Sequence, residues 1–209
     1  MKQILIFLII LLYTGCSKSV FKTRWTKEIA PANFTARFET SKGNFDVEMK
    51  REWSPKAADR CYQLLKHHFL DGAVFFRAIP EFVAQFGSSD TNTIKRWEKI
   101  KVPDEPVILG NGKGTISFAR AGKQSRGTQL FINLYDNQFL DTIHFAGVTG
   151  FPAFGKITNG MQTVDSLYTG YSGKTMDTLG TLYANRSKFL ELFPKLDSIK
   201  KAYIVTIKK

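Results

Sequence analysis

The sequence predicts a mainly β domain, a barrel or sandwich of short strands with a few capping helices, and three observations carry that expectation. In NFTARFETSKGNFDVEMK, Phe34, Ala36 and Phe38 alternate with polar residues, and Phe45, Val47 and Met49 do the same after a Gly-containing turn. That is the period of a β-hairpin. Further on, GTISFARA and GTQLFINL read as strands separated by the loop GKQSR, and KAYIVTIKK closes the chain as another. Helical spacing is confined to two or three short segments. With 43% hydrophobic residues and 18 Phe among 209 residues, the chain can bury the core of one ordinary domain, which excludes a disordered protein.

The first residues, MKQILIFLIILLYTGC, form a separate unit. The apolar stretch from Ile4 to Tyr13 is about ten residues, short of the about 20 needed to span a bilayer, and reads as a secretory signal. Gly15-Cys16 resembles a bacterial lipoprotein cleavage site, with Tyr13 standing where that pattern prefers Leu. The resemblance implies a signal peptide over 1–15, a lipid on Cys16, and a location in the bacterial cell envelope. There the chain is anchored to a membrane and faces the periplasm or exterior. An ordinary signal peptide cut elsewhere, or an uncleaved anchor, is the alternative. If Cys16 carries lipid, Cys61 is the remaining thiol and no intrachain disulfide forms.

Residues 17–32, SKSVFKTRWTKEIAPA, show no clear periodicity and read as a tether, so the expected organisation is a tether over 16–32 and a domain over 33–209. After the first hairpin, Ser54-Pro55 opens a helix with Ser as N-cap and Pro at the first position. The helix runs to about His68 and carries Ala57, Ala58, Cys61, Leu64 and Leu65 on one face, which makes Cys61 a core cysteine. Asp71-Gly72 turns the chain. AFGKITNG leads into a short helix, MQTVDSLY, and RSKFLELF is an extra short helix near the C-terminus, stopped by Pro194.

The net charge of +12 is scattered, with small clusters at Lys95, Arg96, Lys99, Lys101 and at Lys208, Lys209. For an exported chain this argues against nucleic acid and for a solvated basic surface, an anionic membrane or acidic clients. His67 and His68 are adjacent at a helix end, face different directions, and read as surface residues rather than metal ligands. GNGKGT at 110–115 lacks the spacing of a phosphate loop and reads as a turn before a strand.

Residues 75–87, FFRAIPEFVAQFG, place Arg77 and Gln85 inside two apolar runs divided by Pro80. Burying an unpaired guanidinium is costly, so the placement has a reason. A two-residue loop, Pro80-Glu81, puts Arg77 and Gln85 on opposite faces; a three-residue loop, Pro80 to Phe82, pairs them directly. In the second register the pair is either a structural hydrogen bond on a sheet or the polar part of an apolar binding pocket.

Three segments in order bear on that choice. FFRAIPEFVAQFG resembles the cyclophilin signature; GTISFARAGKQSRGTQLFINL resembles the family's second signature, with its core at Gly127 to Ile132; DNQFLD at 136–141 is followed by FGKI at 154–157. The resemblance covers most of 33–168. It implies a closed eight-stranded antiparallel barrel capped by two helices, peptidyl-prolyl cis-trans isomerase activity, no cofactor and no metal. Its implied partners are proline-containing segments of unfolded or exported proteins, met by a monomer. It assigns the catalytic hydrogen bond to Arg77, with Gln85 orienting it or holding the substrate carbonyl. Phe82, Val83, Phe131 and Leu140 become the proline cavity, and Ala119, Arg120, Ala121 and Gln129 the groove for the extended peptide. Phe139 stands where many eukaryotic members carry tryptophan, Val83 replaces their methionine, and Phe151 or His144 takes the place of their histidine. Arg120 and Phe86 also depart from the common residues. With the pocket so altered, a non-catalytic peptide-binding or chaperone module on the same scaffold is the competing function.

Overall fold

The computed structural model describes residues 21–87 and 90–208. The leader and Cys16 lie outside the described residues. The first hairpin is built as its alternation demands. β1 (Asn33–Thr40) and β2 (Gly43–Lys50) pair antiparallel with Phe38 opposite Phe45, and the two rings stack at 4.8 Å. Burial alternates strictly along β1, so one face of the hairpin supplies the core.

Helix α1 (Pro55–Lys66) packs that core against the sheet, burying Ala57, Ala58, Cys61, Leu64 and Leu65. Cys61 is fully buried, and burial pushes its thiol pKa up, which makes it inert. Ser54 holds the N-cap position, but its side chain does not cap. Glu105, from a distant loop, accepts from the Lys56 and Ala57 N–H groups at 2.7 and 3.2 Å and from Ser54 Oγ. A carboxylate satisfies the orphan donors of the first turn and complements the helix dipole better than a hydroxyl does.

The remaining elements follow in order: β3 (Val74–Ala78), β4 (Val83–Gly87), α2 (Thr91–Glu98), β5 (Thr115–Phe118), β6 (Leu130–Asn133) and α3 (Phe139–Thr142). A small hairpin of β7 (His144–Phe145) and β8 (Val148–Thr149) precedes β9 (Ala153–Asn159) and α4 (Met161–Asp165). A 3-10 turn (Lys174–Thr178), α5 (Leu179–Ala184), α6 (Arg186–Leu192) and β10 (Ile199–Lys208) complete the chain. The main sheet has eight antiparallel strands in the order β10-β1-β2-β9-β5-β6-β4-β3. Where β9 crosses the interior, a Cβ on Gly155 would lie 2.8 Å from Ile116 and 3.0 Å from Met49 and Val47, so only glycine fits.

The expected closed barrel is corrected to an open, curled half-barrel. Its edge strands β3 and β10 touch over one short stretch, with a single bridge at Val74–Ser198 and backbone bonds from Phe75 N to Asp197 O and from Ile199 N to Ala73 O. Beyond Phe75 the free edge of β3 is taken by the C-terminal segment instead. Thr175 Oγ1 donates to Phe76 O, and Ala78 forms a bridge with Ser172. These partners satisfy the backbone groups that closure would have paired. Leu182 and Phe189 bury themselves against Val74 and Phe76 in a second cluster on that side.

The expected tether is also corrected over its described part. Trp25, in a 3-10 turn (Thr23–Lys27), is 8% exposed and stacks on His67 at 3.8 Å; Phe21 packs on Trp97 of α2. Polar groups of α1 then hold the strap down. Asp59 accepts from Ala30 N at 2.8 Å, and Gln63 Nε2 donates to Glu28 O at 2.6 Å. His67 is therefore covered, with Nε2 3.1 Å from Glu28 Oε2, while His68 stays at the surface. The sequence shows no period here because the strap is anchored by one or two aromatics rather than by a repeating face. A chain starting at Asn33 should lose on the order of 3–5 kcal/mol relative to one starting at Phe21, the cost of removing a buried Trp. Urea unfolding of the two would measure this, and equal midpoints would show that the strap adds nothing.

Candidate active site

The β3–β4 turn decides where Arg77 points. Ile79 N donates to Val83 O at 3.0 Å, Glu81 takes a left-handed φ of 54°, and Arg77 pairs with Gln85, so the three-residue loop is the one formed. Arg77 and Gln85 thus share a face. Arg77 Nη1 donates to Gln85 Oε1 at 3.3 Å, and its guanidinium carbon lies 5.3 Å from the centre of the Phe82 ring.

The turn is pinned from below. Asn137 Nδ2 donates to Phe82 O at 2.8 Å and to Asn133 Oδ1 at 2.8 Å, while Leu134 N also donates to Phe82 O. Asn133 reaches Asn111 Oδ1 and Thr115 Oγ1, and Asn111 Nδ2 donates to Asp141 Oδ1 and to Phe151 O. Three buried asparagines therefore form a floor that ties the Phe82 turn to Phe151. Sequence reasoning missed all three. Asn111 sits in the Gly-rich stretch read as a turn, and Asn137 inside DNQFLD gives no sign of where its amide points.

Above the floor lies an apolar hollow of about 240 Å³ lined by Arg77, Phe82, Val83, Gln85, Ala119, Arg120, Phe131, Leu140, Phe151 and Met176. Nine of these ten were expected from the sequence. Val83, Phe131 and Leu140 are buried at its base, with Phe82, Ala119 and Phe151 packed against them. Phe151, edge-on to Phe131 at 5.9 Å, occupies the wall position. His144 lies in the exposed β7–β8 hairpin, bonded to Thr149. Arg120 lays its guanidinium 4.7 Å from the centre of the Phe151 ring and pairs with Asp104 at 3.4 Å; its side chain is 1% exposed, so it acts as a wall. Phe139 stands at the rim, 54% exposed, stacked on Phe82 at 6.0 Å. Ala121 and Gln129 do not line the hollow. Ala121 is exposed and donates to Ser125 Oγ, whereas Gln129 Oε1 accepts from Gln85 Nε2 at 2.9 Å.

Residues 35–182 match the family model described as cyclophilin type peptidyl-prolyl cis-trans isomerase/CLD. The chain belongs to the cyclophilin-type isomerases. Among curated relatives, a peptidyl-prolyl cis-trans isomerase of Acinetobacter baylyi is 32% identical over 140 residues, covering 66% of this chain and 73% of the relative. Peptidyl-prolyl cis-trans isomerase A of Dickeya dadantii is 33% identical over 130 residues, covering 61% and 67%. A cyclophilin type isomerase of Cryptosporidium parvum, in a structure determined in the presence of the dipeptide Ala-Pro, superposes with a TM-score of 0.60 at 20% identity. That likeness covers 82% of this chain and 99% of the other.

Two features of this cyclophilin were not foreseen. Met176, from the C-terminal segment, is the tenth residue of the wall. Tyr183, from the same segment, receives a hydrogen bond from Gln129 Nε2. Nothing in the composition of 171–197 signals either, because both depend on that segment folding back over β3.

The electrostatics are simple. Burial lowers the Arg77 pKa from its ordinary value, yet arginine remains protonated in proteins. Burial, aided by the negative charge of Glu98, pushes the Tyr183 phenol up to about 12. Among the described residues, no histidine, cysteine or carboxylate lines the hollow. Isomerisation should therefore show a flat kcat/KM from about pH 6 to 9, since histidine is the side chain that ordinarily titrates there. An inflection near pH 6.5 in a peptide assay would mean that another group takes part.

Proposed function

We propose that this cyclophilin speeds rotation about X–Pro bonds in exported chains by aiming Arg77 at the prolyl nitrogen of the twisted amide. Rotation must break amide resonance, a barrier of about 18–20 kcal/mol, and transfers no atom. The need is therefore for a group that favours the twisted state over either planar one. As the bond leaves the plane its nitrogen regains a lone pair, which a charged donor can engage. That bond exists only near the transition state, so its contribution is differential. The apolar hollow seats the proline ring and excludes water, and Gln85 keeps the guanidinium aligned. Phe139 at the rim and the Ala119–Ala121 stretch carry the flanking peptide.

The observation that supports this most is a guanidinium held by one amide at the mouth of a hollow whose other walls are nearly all apolar. A charge-assisted hydrogen bond is worth about 1.5–3 kcal/mol, or roughly 10- to 150-fold in rate. Arg77→Ala should lower kcat/KM on an Ala-Pro peptide by at least that factor while the domain stays folded. Undiminished activity in that variant would remove Arg77 from the mechanism. The competing role, a peptide binder without catalysis, draws on Val83 and Phe151 in the pocket. NMR exchange spectroscopy across the X–Pro bond separates the two, because a binder shifts peaks without speeding interconversion.

The same proposal places the domain in a bacterial cell envelope, held to a membrane through lipid on Cys16 after removal of 1–15. Lipobox-like residues before Cys16 and the short apolar stretch support it. Expressed with its leader, the chain should fractionate with membranes, and its intact mass should begin at Cys16 with acyl chains attached. A Cys16→Ser variant that remains membrane-bound with the same mass pattern would exclude the anchor.

A further inference from the structure

We propose that Tyr183 is a positioning residue for isomerisation: its hydroxyl is the terminal acceptor of an amide chain that holds Gln85 with its carbonyl oxygen toward Arg77. This rests on the isomerase reading of the site and deepens it.

The direction of the chain follows from one chemical fact. A guanidinium has donors and no acceptor. Gln85 must therefore present Oε1 to Arg77, which it does at 3.3 Å. Its Nε2 then faces away and needs an acceptor, and Gln129 Oε1 supplies one at 2.9 Å. That choice turns Gln129 Nε2 outward, where Tyr183 Oη accepts from it. Each amide has its orientation dictated by the group before it, starting from Arg77. Gln85 is buried, so an amide turned the wrong way would set NH₂ against the guanidinium and leave a buried donor without a partner. The phenol ends the chain suitably because it is neutral at physiological pH and keeps lone pairs free to accept.

Tyr183 is itself held in place. Thr91 Oγ1 donates to its carbonyl, and the preceding Leu182 is fully buried against Val74 and Phe76, on the strand that carries Arg77. Thr175 of the same segment donates to Phe76 O. The C-terminal segment therefore grips the strand beneath Arg77 and the far end of the amide chain at once. Residue 183 is the first beyond the matched family region.

The test uses the wild-type chain, Tyr183→Phe, Gln129→Ala and the double variant. Tyr183→Phe keeps the ring and removes the acceptor. It should lower kcat for an Ala-Pro peptide about 3- to 10-fold, the range of one lost neutral hydrogen bond, and leave KM nearly unchanged. In the Gln129→Ala background the same change should have no further effect, because its route to Arg77 is gone. A general packing defect would instead lower activity equally in both backgrounds. An unchanged kcat in Tyr183→Phe, or equal losses in both backgrounds, overturns the proposal. NMR of the side-chain amides reads the chain without activity. The Gln85 and Gln129 NH₂ signals should be slow to exchange in the wild type and lose that protection in Tyr183→Phe. Unaltered Gln85 signals also overturn it. A wild-type chain that fails to isomerise the peptide would count against the isomerase reading, and the amide signals would still decide the relay.

Discussion

A guanidinium half-sunk in an apolar wall governs the rest of this structure. It can only donate, and its desolvation makes an unmatched donor costly. Gln85 turns its carbonyl oxygen toward it, Phe82 offers a ring face, and the other walls of the hollow, Arg120 apart, are apolar. Arg77 itself lines the hollow. A fixed positive charge of this kind suits a reaction in which the only new electron density is a nitrogen lone pair.

Holding the charge is a backbone matter before it is a side-chain matter. The three-residue turn at 80–82 sets the register that faces Arg77 with Gln85, and Glu81 adopts a left-handed conformation to make it. Such a turn is not self-sufficient. The carbonyl of Phe82 would be stranded without Asn137 and Leu134, and Asn137 is held by Asn133, which bonds in turn to Asn111 and Thr115. The buried amide floor therefore does for the turn what Gln85 does for Arg77. It leaves one conformation satisfied and makes the alternatives expensive.

The two ends of the chain solve a related problem at the periphery. A half-barrel leaves the outer edge of β3 open, and the segment from Ser172 to Leu196 covers it through Thr175, Leu182 and Phe189. At the other end the strap at 21–30 covers the outer side of α1 with Trp25, Asp59 and Gln63 making the contacts. Met176 and Tyr183 bring the first of these coverings into the site itself, one as a wall and one beneath Gln129.

Much of this was determined by the sequence alone. The hairpin at 33–50 followed from alternation, α1 from its apolar face and Ser-Pro start, and the hollow from motifs that placed nine of its ten lining residues. The first two are local signals, because period and turn chemistry act over a few residues; the lining residues came from the resemblance to the cyclophilin motifs. Between the two loop registers at Pro80 the chain itself gave no decision, nor between Phe151 and His144 for the wall. Only the folded sheet, with Leu134 and Asn137 meeting the Phe82 carbonyl, decided the first. The second was decided by the β7–β8 hairpin, which carries His144 out into solvent. The half-barrel, the strap and the roles of Met176 and Tyr183 were likewise decided by tertiary structure. Each depends on residues distant in the chain, from Ala30 and Asp59 to Phe76 and Thr175, satisfying one another's exposed groups, and no local pattern records which distant partner a backbone carbonyl or a lone aromatic will find.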